Sequence, residues 1–531
     1  MTQLFDIGRS ALSTYQAALT TVSRNVANAN APGYARQSVN IGQLAGGSGV
    51  DVVSLTRDAD NSALSAAREA TAQRAQIEVR ATTLSRLDTQ VSDPATNLAT
   101  PLQDLQQSLS ALTIQPTDIP TRQSVLAALE QFSSRVAGLD ATFAAEEQDN
   151  IRSLQTQVQL AQDQLDQLAV VQGQLDTGGA LDAGRATLLD QRDVLLQDLS
   201  QTLGIEAQVG RNDSLQLGLA NGQPLLQAGQ PVDFGLARDE SGQLQLTVDG
   251  VVQPPRVVGG EIRGYLDLLQ NDLPAARDSL GQLAAGVAIT LNDFQAAGVG
   301  LDGNPGPALF SVPEAVVTDG AANTGTAVFS ASIDDVSQIP AQRFELSFDA
   351  GSYSARDADG NALTVSGTGS IADPLLVSGI ALSLAGTPAN GDRFVIQPAA
   401  ASSIESLNVD AQDLSVAAAG SPANSGDNTN LLALQQNISG PLLNGGQDDV
   451  GTATNLWIAR TGQSAASANL SLDSSRAAEN FALDRRDSIQ GVNLDEEAAD
   501  LLRYEQAYQA AAQVIATAGS LFDTILSAVR R

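Results

Sequence analysis

The sequence contains no cysteine and no histidine, and all 28 of its basic residues are arginine, so it contains no lysine either. Without cysteine there are no disulfides, thiolate nucleophiles or thiolate metal sites. Without histidine the usual general base near neutral pH and the commonest metal ligand are missing. Without lysine there is no Schiff-base or Ser-Lys chemistry, and no GxxxxGK[ST] phosphate loop. Carboxylate, hydroxyl and arginine chemistry remain. A two-carboxylate glycosidase is compatible with that residue set, but no acidic pair is singled out by its spacing. Neither an enzyme nor a bound cofactor or metal is expected.

Aromatic residues are scarce at 4%, with one tryptophan, so the packed cores must be aliphatic and alanine-rich. Basic residues are outnumbered by 60 acidic ones, giving a net charge of −32. A binder of nucleic acid or of an anionic membrane needs a basic face, and none is visible. No run reaches the ~18–20 apolar residues of a membrane span. The opening residues Met1 to Asp6 lack a basic stretch and a long apolar stretch, so a cleaved secretory signal is not expected. A chain of 531 residues has room for three or four domains, at roughly 100–200 residues each.

What the sequence does have is apolar periodicity at both ends. Phe5, Leu12, Leu19 and Val26 recur every seven residues, with Gly8, Tyr15 and Val22 three residues later. Leu494, Leu501, Tyr508, Ile515, Phe522 and Val529 do the same at the other end, beside Tyr504, Ala511, Ala518 and Ile525. Each set is an amphipathic helix whose stripe needs a cover. Two covers fit: a globular core, or pairing of the helices with each other or with copies of themselves. Small residues such as Gly8, Ala18, Ala511 and Ala518 favour close pairing. Phe5, Leu12, Tyr15, Leu19, Val22, Val26, Leu494, Leu501, Tyr508, Ile515 and Phe522 are thus the candidate assembly interface. The first helix should stop at Asn28-Ala-Asn30-Ala-Pro32-Gly33-Tyr34. Pro32 disfavours helix at Ala31, Asn30 suits a left-handed cap, and Pro-Gly suits the centre of a type II turn. The stretch 35–55 alternates loosely and, with Gly46-Gly47, reads as an extended or short-strand linker.

Between the ends, long helices are expected over 59–92, from Glu146 to a break at Gly178-Gly179, and over 265–295. Shorter ones are expected through Leu112 and over 122–139. Two stretches, 204–258 and 308–400, alternate in short runs separated by Asn-Gly, Ser-Gly and Asp-Gly turns, and read as β. Asp357-Ala-Asp-Gly-Asn361 has its glycine too early for a calcium loop and reads as a hairpin turn. Asp484-Arg485-Arg486-Asp487 reads as a solvated helix face, or as a contact to an acidic neighbour. The expected architecture is multidomain and mainly α. Residues 1–58 with 490–531 form a coiled-coil-like terminal assembly domain. Residues 59–203 with 259–300 and 405–489 form a long-helix bundle body. Two β-rich outer modules, 204–258 and 301–404, are inserted into it.

Two blocks of sequence go further than periodicity. The first is Leu4-Phe-Asp-Ile-Gly-Arg-Ser-Ala-Leu12 followed by Asn25-Val-Ala-Asn-Ala-Asn-Ala-Pro-Gly-Tyr-Ala-Arg-Gln37; Ala31 stands where Thr or Ser is more usual. The second is Gly491-Val-Asn-Leu-Asp-Glu-Glu-Ala-Ala-Asp-Leu-Leu502 with Tyr504-Glu-Gln-Ala-Tyr508. Together they resemble the flagellar axial family of rod, hook and junction proteins. Leu188–Asp193, the helix from Gly264 to Asn292 and Gly391–Pro398 resemble its hook–filament junction branch. The resemblance implies a structural subunit that joins hook to filament through its terminal helices. It implies a ring of copies, neighbours in the hook protein and a second hook–filament junction protein, and an export chaperone on the C-terminal segment. It also implies an extracellular place, reached by the flagellar type III pathway without a cleaved signal. A hook or rod subunit would share the N-terminal motif but not the long helical body, and a surface hydrolase would need a carboxylate pair.

Overall fold

The computed structural model describes residues 2–44, 49–177, 183–239 and 242–529. The expected Gly46-Gly47 linker and Gly178-Gly179 break lie outside the described residues. Ten helices are found among the described residues: α1 (Thr2–Asn28), α2 (Asn61–Ser92), α3 (Ala99–Ile114), α4 (Ile119–Thr177), α5 (Ala183–Leu203), α6 (Gly260–Asp267), α7 (Leu273–Ala297), α8 (Thr429–Ile438), α9 (Val450–Gln490) and α10 (Leu494–Val529). The chain is mainly helical, with several small sheets.

Over residues 35–55 the strand alternative is the one formed. Gln37–Gln43 and Val50–Arg57 pair antiparallel, with a bulge at Asn40/Ile41. The pair lies along α1, where Thr14 Oγ1 donates to the Val50 carbonyl at 3.1 Å. Asp60 then caps α2, its carboxylate accepting from the Ser62 amide at 2.8 Å, and the helix stops before Pro94.

The largest departure from the periodicity is α4, which runs unbroken for 59 residues where a gap between 139 and 146 was expected. The apolar row Phe132, Val136, Leu139, Phe143 stops there because the next core-facing positions are polar. Glu146 and Asn150 are buried. Arg86 Nη2 donates to Glu146 Oε2 at 2.6 Å, and Asn150 Nδ2 to the Glu146 carbonyl at 2.7 Å. Satisfied polar groups thus carry the helix through the gap, and alanines 141, 144 and 145 favour it. The expected helix 265–295 is likewise one rod, but residues 268–272 form a π turn within it. Pro274 accounts for this: it cannot donate to residue 270, and its ring pushes that carbonyl away.

The helices pack around aliphatic clusters, as the aromatic shortage requires. One gathers α3, the first half of α4, α7 and α8, with Phe132, Phe143 and the single Trp457. A second joins the rest of α4 to α5, α6 and the β segment of 204–258. There, Phe234–Arg238, Leu244–Val248 and Val251–Val252 form an antiparallel sheet. Gln162 of α4 holds its edge, accepting from the Phe234 amide at 2.8 Å. In the second β segment a five-stranded and a four-stranded antiparallel sheet enclose Phe329, Phe344, Leu346, Leu382, Phe394 and Ile396. Asp357 closes the 352–363 hairpin by accepting from the Asp359 and Asn361 amides, so this loop is a turn.

One ion pair pins this sandwich to α7. The carboxylate of buried Asp278 accepts from Arg343 Nε and Nη2 at 2.9 Å each and from the Arg343 amide at 2.8 Å. Asp278→Asn should weaken the docking by about 2 kcal/mol, because Arg343 is partly exposed and regains water. In urea the sandwich, followed by circular dichroism, should then unfold ahead of the body, followed by Trp457 fluorescence.

Candidate assembly surface and the joint behind it

α1 and α10 run antiparallel in contact. Small residues make the approach close: Ala18, Ala511 and Ala518 are buried. A Cβ on Gly8 would lie 2.5 Å from Ile515 Cγ1. The rings of Tyr15 and Tyr504 stack tilted at 6.4 Å. Of the candidate interface residues, Val22 is buried, and Phe5, Leu12, Tyr15, Leu19, Leu501, Tyr508 and Ile515 are half-buried. Val26, Leu494 and Phe522 are exposed, as are Leu4, Ile7, Leu502, Leu521 and Ile525. The pair therefore covers one stripe of each helix and leaves a second apolar surface open.

The helix-stop motif does two jobs. The Tyr34 amide donates to the Ala31 carbonyl at 3.2 Å, and Gly33 has φ +73°, the expected type II turn about Pro32-Gly33. Asn30 is not in the left-handed conformation expected of it; instead Asn28 Nδ2 donates back to the Arg24 carbonyl at 2.9 Å and closes the helix. The tight turn also lets the loop meet α5, since a Cβ on Gly33 would lie 2.3 Å from Val194 Cγ2.

Beyond that turn lies a buried polar joint in which both ends of the chain meet the body. Asn25 Oδ1 accepts from the Tyr34 hydroxyl at 2.8 Å and the Gln37 amide at 3.1 Å. Asn25 Nδ2 donates to the Gln37 carbonyl and to Glu497 Oε2, both at 2.9 Å. Glu497, only 1% exposed, also accepts from Arg36 Nε at 2.7 Å. Asp58, Glu496 and Asp500 stand 3.5–3.8 Å from the same guanidinium. On the body side Arg57 donates to Asp190 Oδ1 and Asp193 Oδ2, both at 2.7 Å, and so clamps the 50–57 strand to α5. The hydrogen bond to Glu497 raises the Arg36 pKa, and burial raises that of the Asp190 carboxyl against the pull of Arg57.

Burial, with help from Asp190 and Glu497, pushes the Tyr34 hydroxyl up to about 12. A raised value means that folding favours the protonated phenol. Its contribution is intact below the unfolded tyrosine value of about 10 and is lost as pH rises to about 12. A 295 nm titration of wild type minus Tyr34→Phe should show one step near pH 12; a step near 10 would contradict the joint's burial.

Sequence reasoning placed Asn25, Arg36, Gln37, Asp190, Asp193 and Glu497 inside motifs but gave them no role. The one available signal was Asn25, a polar residue three positions after Val22 on the seam.

Comparison with known proteins agrees with this geometry. Residues 84–310 match the family model "Flagellar hook-associated protein FlgK helical domain", and 318–398 match "Flagellar hook-associated protein 1, D2-like domain". Residues 5–34 match "Flagella basal body rod protein", and 488–528 match "Flagellar basal body rod FlgEFG protein C-terminal". The chain is 28% identical to flagellar hook-associated protein 1 of Escherichia coli K12, over 99% of this chain and 100% of that one. It is 27% identical to the Salmonella typhimurium protein of the same name, over the same shares. The fold is that of the flagellar hook junction protein FlgK from Burkholderia pseudomallei, at a TM-score of 0.74 and 19% identity, over 80% of this chain and 100% of that one. These relatives are flagellar structural proteins, not enzymes. The chain belongs to the flagellar hook-associated protein 1 family.

Proposed function

We propose that this protein is the structural subunit that joins hook to filament in the bacterial flagellum, assembling through its terminal helices. The observation that carries this reading is the second apolar surface on the α1–α10 pair, left uncovered although the joint fixes the pair on the body. Burial of such surface is worth roughly 25 cal/mol per Å². Residues 1–58 with 490–531 act as the assembly domain, in coiled-coil-like contact with copies of the chain in a ring. Residues 59–203, 259–300 and 405–489 form the shell outside it. The segments 204–258 and 301–404 face outward. Phe5, Leu12, Tyr15, Leu19, Val22, Leu501, Tyr508 and Ile515 hold the pair together, and Val26, Leu494 and Phe522 meet neighbours. Those neighbours are the hook protein and a second hook–filament junction protein. An export chaperone covers the C-terminal segment before the chain leaves by the flagellar type III pathway. Its place is the extracellular axis of the flagellum.

Gold labelling of flagella tests this. A band confined to the distal end of the hook is expected, and label along the whole hook would overturn the junction assignment.

A further inference from the structure

Among the described residues, two surface features outside the terminal helices lack partners, and they match each other. The first is on α9, whose Ala465, Ala468, Leu472 and Ser475 are buried. Phe481 points away from that face and is 72% exposed. Arg485 lies one turn further along the same side, with no carboxylate within ion-pair distance among the described residues. The second feature is a groove of about 800 Å³ between α4 and α5, floored by Val170, Val171, Val194 and Leu195, with Asp166 and Asp198 on its walls. Pro32 and Tyr34 of the joint close its end.

The two features sit at the same height of the body. Arg74 of α2 donates to Glu479 of α9 at 2.9 Å, and Thr71, one turn earlier, accepts from Gln197 of α5 at 2.6 Å. Helix α2 thus separates the knob from the groove, and each chain presents both on different flanks. A knob and a hole on different flanks make a head-to-tail contact, the kind that generates rings or helical arrays.

The geometry points to Phe481 of one copy seating in the α4–α5 groove of a second copy, with Arg485 reaching the Asp198 and Asp166 carboxylates. A phenylalanine buries on the order of 150–250 Å² in such a seat, and an acidic rim selects a cationic neighbour. The contact would add a lateral grip between bodies to the assembly made by the terminal helices, and it rests on the ring reading above.

The absence of cysteine makes the test clean. Ala477→Cys, one turn before Phe481 on the same side of α9, and Gln167→Cys, on the rim of the groove, alter exposed side chains and leave the knob and the floor intact, so both variants should fold, as Trp457 fluorescence checks. A short bismaleimide is applied to the double variant, as concentrated purified protein and in isolated flagella. A ladder of multimers is expected from the double variant and not from either single one. No ladder in either sample overturns the contact. Arg485→Asp should lower the ladder at least tenfold in a variant that keeps both cysteines, and Asp198→Arg should restore it; loss without restoration overturns the charge match. Gold labelling of the same flagella reads the junction assignment separately. A hook-end band without a ladder sinks the contact alone, whereas a ladder with label elsewhere sinks the junction assignment alone.

Discussion

Arg57→Met is expected to cost the joint about 3–5 kcal/mol, because it strands the buried Asp190 carboxylate without a cation and leaves Asp193 only Arg192. Arg57 donates separately to Asp190 and Asp193, and both lie in buried positions on α5. Arg192 lies 3.7 Å from Asp193 and cannot replace it at Asp190. Methionine fills much of the volume of arginine, so the loss is electrostatic rather than a cavity. The effect should be local. Residues 31–43 and 50–57 should lose protection from hydrogen exchange while Trp457, far along the body, keeps its fluorescence. The pH dependence has a definite sign. Burial already holds the Asp190 carboxyl above the usual range with Arg57 opposing it, and removing Arg57 raises it further. A raised folded value stabilises below the unfolded carboxylate value of about 4, and that stabilisation fades as pH rises through the folded value. The variant's joint should therefore be better closed at pH 4 than at pH 7. Wild-type protection of residues 31–43 in the variant at pH 7 would show that Arg57 is not the clamp.

What was legible in the sequence follows from the range of each interaction. The stripes of α1 and α10 repeat every seven residues, so their existence could be read directly, whereas Val26, Leu494 and Phe522 of the same rows lie exposed. The Pro32-Gly33 turn is local and was legible for the same reason. The unbroken α4 was not, because buried Glu146 and Asn150 stand where the row calls for apolar residues, and their partners lie on another helix or on the helix backbone itself. The joint was the least legible. Asn25 and Glu497 are separated by 472 positions, and no periodicity links a polar residue to a partner that only topology brings near. Gln37 enters the joint only through its backbone amide and carbonyl, which bond Asn25 and carry no side-chain signal. Phe481 was equally illegible: nothing in its local sequence marks it, yet the structure leaves this aromatic 72% exposed on α9.

Ile515→Asp should separate assembly from folding more sharply than any other single change. Ile515 of α10 packs against Gly8 of α1, and the absence of a Cβ at Gly8 is what admits it. A carboxylate there lies against the α1 backbone at Gly8. Placing an unpaired charge in a half-buried seam costs about 2–4 kcal/mol. Isolated helices of this kind are marginal without their packing, so both should fray together from residue 515 to the C-terminus. The joint lies about 18 residues toward the other end of α10, some 27 Å away at 1.5 Å per residue, and the body beyond it shares no core with this seam. Trp457 fluorescence and the urea midpoint of the body should match wild type, while hydrogen exchange over 515–529 accelerates. In cells the variant should be made and exported, but filaments should be missing from the hooks and flagellin shed into the medium. Leu19→Asp, on the facing row of α1, should give the same result. A cell carrying Ile515→Asp with filaments of normal number would mean that the α1–α10 seam is not what builds the assembly. The exposed face of Leu494, Leu502, Leu521 and Phe522 would then have to make the contacts alone.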